Sequence, residues 1–312
     1  MEPLRVFTFA PGWGLPTVGP FALKLLAWLD HHGIPYRQQI ENRSDRGPMG
    51  KSPWIEQGDF RMGDSDAIIR HLAAQQGLPD PMRCETPVQA GNLGLRIAFE
   101  ERFHQILEWE LFVHPEGRRA MRAMICAQTP PLVGPFVFAS MARHFRCQLH
   151  ARGIGRLTAT QITDEGRRLL DALALRLTNG DAWLEGEGEG EGEGEGEGDG
   201  EGEGDGEGDG EGDGDGDGDG DGDGPGLTDF AVWGQVAPML CWPMRTPVAE
   251  IAKSLPALRA WHDRMLEPRA LMGSRPVAAT AQGNSALTPA IQSGGLPAGR
   301  RRRPESGAAP AR

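Results

Sequence analysis

Lysine is nearly missing from this chain of 312 residues: it occurs only at Lys24, Lys51 and Lys253, so arginine supplies almost all of the 32 basic side chains. That bias, with abundant Ala, Gly and Pro, matches a GC-rich genome and carries no functional information. Cysteine is scarce as well. Cys84, Cys126, Cys147 and Cys241 are scattered and form no CxxC pair, which favours reduced thiols over a disulfide framework. No uncharged apolar run approaches the ~20 residues that a membrane span needs; Leu132 to Met141 is far too short. No basic-then-apolar leader opens the chain, and a soluble, cytoplasmic protein is expected. Walker-type and dinucleotide-binding glycine patterns are both absent. The His residues show no metal-ligand spacing with Cys or acids, and His104 with Glu108 is one helical turn apart as many surface pairs are. No metal is expected.

What is plentiful is one repeat. From Glu185 to Gly224 the chain alternates acid and Gly without interruption, 20 of each, and this segment alone makes the net charge −12. Without it, 24 acids stand against 32 basic residues, a net +8. Strict alternation with Gly cannot bury apolar surface and repels itself, so the segment is expected to be solvated and disordered. It has neither the residue order of an EF-hand nor the nonapeptide of calcium-binding β-helices, so weak, unspecific cation binding is all it predicts. The tail from about residue 269 to 312 is dominated by Ala, Gly, Pro, Ser and Arg, with Arg300 to Arg303 in a row. It lacks interleaved aromatics and a binding fold, so a solvated tail is expected rather than contact with nucleic acid or anionic lipid.

Elsewhere the pattern is that of a folded protein. Leu4 to Ala10 and Ile34 to Glu41 read as strands around an apolar helix that Pro20 opens and Gly33 ends. Pro53-Trp54-Ile55-Glu56, a Gln57-Gly58-Asp59 turn and Phe60-Arg61-Met62 read as a hairpin. Asp64 and Ser65 then offer a cap for a helix whose apolar stripe is Ala67, Ile68, Ile69 and Leu72. A hairpin feeding a capped helix aims backbone N–H groups and a hydroxyl at one spot, which suits an anion. Pro53, at a strand start, is a candidate cis peptide. A Pro-rich linker follows, and the pattern turns helical. One helix is expected over 91–112. A helical region over 118–150 is expected to be broken at Thr129-Pro130-Pro131 and bent near Pro135. Helices over 160–177, from Gly226 onward, and over 248–266 with a bend at Pro256 complete it.

Ser52-Pro53-Trp54-Ile55-Glu56, a turn, then Gly63-Asp64-Ser65-Asp66-Ala67-Ile68-Ile69 resembles the second half of the thioredoxin-like domain of glutathione S-transferases. Together with Gly153-Ile154-Gly155-Arg156 and Leu170-Asp171-Ala172-Leu173, it is most similar to the branch containing failed-axon-connections, cadmium-resistance and metaxin-type proteins. The resemblance implies an α/β thioredoxin-like domain over 1–78, a linker over 79–88, and an all-α domain over 89–184 and 225–268 that the repeat interrupts. It assigns glutathione binding to Ser52 with Pro53, whose backbone would meet the cysteine, and to Asp64 with Ser65, which would hold the γ-glutamyl end. Residues 91–112 would line a pocket for a small hydrophobic electrophile, and by analogy the protein would be a homodimer. In this family a Thr or Ser caps the helix after the repeat with an Asp three residues on. Asp229 fits, but the cap falls on Gly226, a weaker cap, unless Thr228 takes over by a register shift.

The loop entering the first helix decides between two functions. Conjugation needs a hydroxyl or thiol there to hold glutathione as its thiolate. Where the related branch reads Ser-Pro-Phe-Cys, this chain reads Gly19-Pro20-Phe21-Ala22, with neither reactive side chain. Thr17 is the nearest hydroxyl and the candidate catalytic residue; an ordinary loop threonine is the plainer reading. The chain is therefore expected to be a glutathione transferase-type enzyme, or alternatively a non-catalytic binding or scaffold protein on the same fold.

Overall fold

The computed structural model describes residues 2–178, 183–185 and 224–267. The acidic-Gly repeat, apart from its first and last residues, and the arginine-containing tail lie outside the described residues.

The chain opens with β1 (Leu4–Thr8), whose alternating side chains Leu4, Val6 and Thr8 are buried. It then forms α1 (Pro20–His31), β2 (Tyr36–Ile40), β3 (Trp54–Gln57), β4 (Phe60–Gly63) and α2 (Ser65–Gln76). The sheet order is β2-β1-β3-β4, with β1 parallel to β2 and antiparallel to β3, and β3 antiparallel to β4. Pro20 fills the first turn of α1, where its missing N–H costs nothing. Residues 22–29 of α1 are all buried, as expected of a helix covered on every side. Its most extensive contact is with a helix much later in the chain, α8 (Leu227–Cys241). Gly234 permits that approach: a Cβ there would lie 2.5 Å from the carbonyl oxygen of Pro20.

The helical half begins with α3 (Pro87–Ile97), held at its start by a capping box between Thr86 and Gln89. The helix expected over 91–112 thus starts earlier, inside the expected linker. It runs on through a π-helical segment, Ala98–Phe103, into α4 (His104–Phe112). Then come α5 (Pro115–Ala127), α6 (Gly134–Ala151), α7 (Ala159–Thr178), α8, α9 (Pro247–Ser254) and α10 (Pro256–Leu266). The break expected at Thr129-Pro130-Pro131 separates α5 from α6, but the two expected bends are helix starts instead. Pro135 and Pro256 each sit in the first turn of a new helix, the place where proline is tolerated, rather than inside a longer one. One apolar cluster runs from Leu4 to Met265 and joins both halves of the molecule. Among the described residues no helix is long and apolar enough to cross a membrane.

The start of α8 follows the first sequence expectation, with Gly226 at the cap and Asp229 three residues on, and not the alternative of a register shift to Thr228. Asp229 does fold back as expected, accepting from the backbone N–H of Gly226 (3.2 Å), Leu184 (2.9 Å) and Glu185 (3.3 Å) and from Trp261 Nε1 (3.0 Å). Thr228, however, makes no register shift; the helix begins at Leu227 with Gly226 as its cap residue. The missing cap side chain comes from across the repeat. Glu185, the repeat's first acid, accepts from the Thr228 N–H (2.9 Å) and from the Thr228 hydroxyl. A Cβ on Gly226 would overlap the Glu185 carboxylate, so the glycine leaves room for a cap supplied from elsewhere. Glu185, expected to belong to the disordered insert, is part of the fold.

Candidate functional site

The hairpin register gathers the sequence-predicted residues at one edge of the sheet. Trp54 pairs with Gly63, so the residues just outside the ladder, Pro53 and Asp64, leave the sheet side by side, with Ser52 and Ser65 next along. The Ser52–Pro53 peptide is cis. Phe7 pairs with Trp54 across β1 and β3 and stacks on its ring at 4.8 Å, so β1 ends at the same edge. The loop carrying Thr17 and the first turn of α1 follow from there.

Asp64 has φ +74°, a left-handed conformation for a non-glycine residue, and its carboxylate accepts from the Ala67 N–H (3.0 Å), capping α2. One carboxylate oxygen takes that bond, and the exposed side chain keeps its second oxygen for a cation such as an ammonium. Ser65 is buried at the first position of α2, 6% exposed. The Ser52 hydroxyl oxygen is buried and has no hydrogen-bond partner in the protein. A buried hydroxyl left without a partner loses free energy, which a polar ligand atom at this edge would restore.

Thr17 behaves differently. It is completely buried, and its Oγ1 accepts from the Gly19 N–H (3.2 Å) just before α1. The neighbouring Trp13 also has a positive φ, +55°, in a tight turn closed by paired hydrogen bonds between Gly12 and Leu15. Its ring meets Trp242, at the end of α8, edge to face at 5.8 Å. The loop is thereby fixed against the helical half.

The comparisons with known proteins agree with this layout. The glutathione S-transferase N-terminal domain family matches residues 20–117. The isoprene-epoxide–glutathione S-transferase of Rhodococcus sp. (strain AD45) is 28% identical over 110 residues, which span 34% of this chain and 44% of that enzyme. The chain thus matches less than half the length of that relative. The crystal structure of a beta-etherase from Sphingobium sp. strain SYK-6 superposes with a TM-score of 0.50 at 15% identity, covering 86% of this chain and 96% of that one. The fold is that of the glutathione S-transferases.

Within this transferase fold the structure adds pairings that the sequence did not assign. Lys24, on α1, is 1% exposed and donates to Glu100 (2.6 Å) and to Asp66, the residue after Ser65. Arg96, on α3, donates to the other oxygen of Asp66 (3.0 Å). Two cations and two acids from α1, α2, α3 and the π-helical segment therefore tie the start of α2 to the helical half. A buried lysine is tolerated only with such partners. Lys24 being one of three lysines was the only hint in the sequence. His104 is the second addition. Its ring packs on Phe21 of the first turn of α1 at 5.0 Å, and its Nδ1 is 2.9 Å from Gln235 Oε1. With side chains only 19% and 11% exposed, His104 and Glu108 lie largely inside the protein.

Among the described residues no cluster of three or more His, Cys, Asp or Glu is arranged to hold a metal ion. Shallow hollows of about 430 and 540 Å³ lie on the helical half, around Leu157 to Arg168 and between α5 and α6, away from the sheet edge.

Proposed function

We propose that this protein binds glutathione at the sheet edge formed by Ser52, Pro53, Asp64 and Ser65. The observation that carries this reading is the register of the β3–β4 hairpin, which brings Pro53, Asp64 and Ser65 to the edge where the Ser52 hydroxyl is buried and unpartnered. In this assignment the backbone of Ser52 meets the cysteine of the tripeptide. The free oxygen of Asp64 takes the γ-glutamyl ammonium, and the α2 start with Ser65 takes its carboxylate. Residues of α3 and α4, His104 among them, face a small hydrophobic electrophile. The limits proposed for the thioredoxin-like and all-α domains, a cytoplasmic location, a homodimer and the likeness to the failed-axon-connections, cadmium-resistance and metaxin-type branch belong to the same reading.

Conjugation is the transferase-type outcome: the glutathione thiolate attacks the electrophile and the leaving group or opened ring takes the electron pair. Its stabilising hydroxyl would have to be Thr17. A second reading, binding without efficient conjugation, is favoured by one observation. The Thr17 hydroxyl is wholly buried and accepts the Gly19 N–H, while Gly19 and Ala22 supply no side chain that could replace it.

Isothermal titration of glutathione into the full chain tests the site, with Ser52→Ala, Asp64→Asn and Ser65→Ala as variants. Saturable binding that these changes weaken supports the assignment; unaltered affinity in all three refutes it. A conjugation screen then separates the two readings. Turnover abolished by Thr17→Val supports catalysis, and binding without turnover supports the scaffold.

A further inference from the structure

The α5–α6 hairpin has a composition unlike the rest of the molecule. It carries Arg118, Arg119, Arg122, Arg143 and Arg146 and a single acid, Glu116. Glu116 pairs with Arg119 at 2.7 Å; among the described residues none of the other four arginines has a carboxylate partner. All five are exposed. The connection between the helices and the first turn of α6 present Leu132, Val133 and Phe136, exposed by 85%, 43% and 77%.

These groups share one side. The hollow of about 540 Å³ is lined by Arg118, Arg119 and Arg122 of α5 together with Pro135, Phe138 and Ala139 of α6, so the α5 arginines face the same way as Ala139. On α6, Phe136, Ala139, Arg143 and Arg146 follow each other at three- and four-residue spacing and lie along one face. That face is exposed throughout. The hairpin is thus an apolar end flanked by a basic field.

Three occupants fit part of this. A second copy related by a two-fold axis would cover the apolar end with the same apolar end, but it would bring a second set of like-charged arginines to the interface with no acid but Glu116 to answer them. The acidic-Gly repeat would answer the arginines but has no apolar side chain to cover Leu132 and Phe136. A membrane with anionic headgroups answers both, with arginines at the phosphates and apolar side chains at the acyl boundary. We propose that the α5–α6 hairpin docks this protein reversibly on an anionic lipid surface, with Leu132, Val133 and Phe136 inserted and the five arginines around them. The attachment is interfacial and crosses nothing.

Sedimentation of the full chain with vesicles tests it, using phosphatidylcholine alone and an equimolar mixture with phosphatidylglycerol. Binding is expected only to the mixture and is expected to weaken as salt rises. Replacing Arg118, Arg119 and Arg122 together by alanine should lower partitioning on the order of a hundredfold. Leu132→Ser with Phe136→Ser should lower it at unchanged charge. All five positions are exposed, and circular dichroism verifies that the variants fold. In Phe136→Trp, subtracting the emission of the unsubstituted protein isolates the new indole from the eight native ones, and a blue shift of that difference on mixed vesicles alone reports insertion. Absence of binding to the mixture overturns the proposal. So does full retention by the Leu132/Phe136 variant, which would leave an unspecific polyanion site. Conversion of an oligomer to a monomer by that variant, read by light scattering, would overturn it in favour of a second copy.

Discussion

Glu185→Ala should unfold α8 more easily although Glu185 begins a stretch whose composition predicts no structure. The change removes the carboxylate that accepts the Thr228 N–H and hydroxyl and leaves Gly226, which has no side chain, to start the helix. Loss of a helix cap costs about 0.5–2 kcal/mol. The acceptor is charged but only half-buried, so about 1.5 kcal/mol is a fair central value. At about 2–4 °C per kcal/mol for a protein of this size, the melting temperature should fall by about 3–6 °C. Gly226→Ser should also destabilise, because its Cβ would overlap the Glu185 carboxylate. In the double variant that obstacle is gone, and the serine hydroxyl can cap the helix in the ordinary way. The pair should therefore be more stable than the sum of the single changes predicts, by about 1–2 kcal/mol. Glu187→Ala, one dipeptide further on, serves as the control and should leave the melting curve where it was. Thermal and urea unfolding followed by circular dichroism measure all four. An unchanged midpoint in Glu185→Ala, or strict additivity of the pair, would refute the cross-repeat cap.

Asp64→Ala should lose glutathione affinity and also about 1 kcal/mol of stability, because it caps α2; Asp64→Asn should lose the first and keep most of the second, which calorimetry and melting separate. Lys24→Met removes the buried ammonium shared by Asp66 and Glu100 but leaves Arg96 beside both, and Asp66 is partly exposed, so the cost in a urea titration should stay below the ~3–5 kcal/mol of a fully buried pair, at about 1–2 kcal/mol; an unaltered midpoint would mean Arg96 and water replace the ammonium. Burial pushes the Glu110 carboxyl from 4.5 up to about 7, although it accepts the N–H groups of Val248 (2.7 Å) and Ala249 (3.3 Å) at the start of α9. The unfolded chain releases that proton first, so the contribution of Glu110 to stability should fall as pH rises from about 4.5 to about 7, by up to about 3 kcal/mol, and level off above. Glu110→Gln should remove that part of the pH dependence, read as the difference between the two stability–pH curves; superimposable curves would assign the effect elsewhere, for example to Asp30 or Asp229, whose carboxyls burial also pushes up.

The local chemistry of the thioredoxin-like half was legible. Pro20 opening α1, the cis bond before Pro53, the β3–β4 hairpin and the Asp64 cap each depend on residues within a few positions of one another, and composition alone states them. Pro135 and Pro256 were read as bends because each lies inside a helical pattern, and only the backbone distinguishes a kink from a fresh start. What stayed hidden joins distant parts of the chain. The Lys24, Asp66, Arg96 and Glu100 cluster, His104 with Gln235, and Glu185 with Thr228 are pairings across 30 to 131 residues of sequence. Spacing carries no trace of them. For Thr17 the sequence could name the nearest hydroxyl but not its burial, which is what weakens it as a catalytic group.

The Glu185 cap also bears on how the acidic-Gly tract can change in length. Tandem dipeptides are prone to copying errors that add or drop whole units. Each unit here opens with a carboxylate, so after any such event the residue following Leu184 is again acidic and Gly226 still faces it. Where Asp replaces Glu the reach is one methylene shorter, so only the identity of the first unit matters to α8. Natural variants should therefore differ freely in unit number while keeping Glu at the head of the tract and Gly before α8. A population survey of the locus would expose that asymmetry directly.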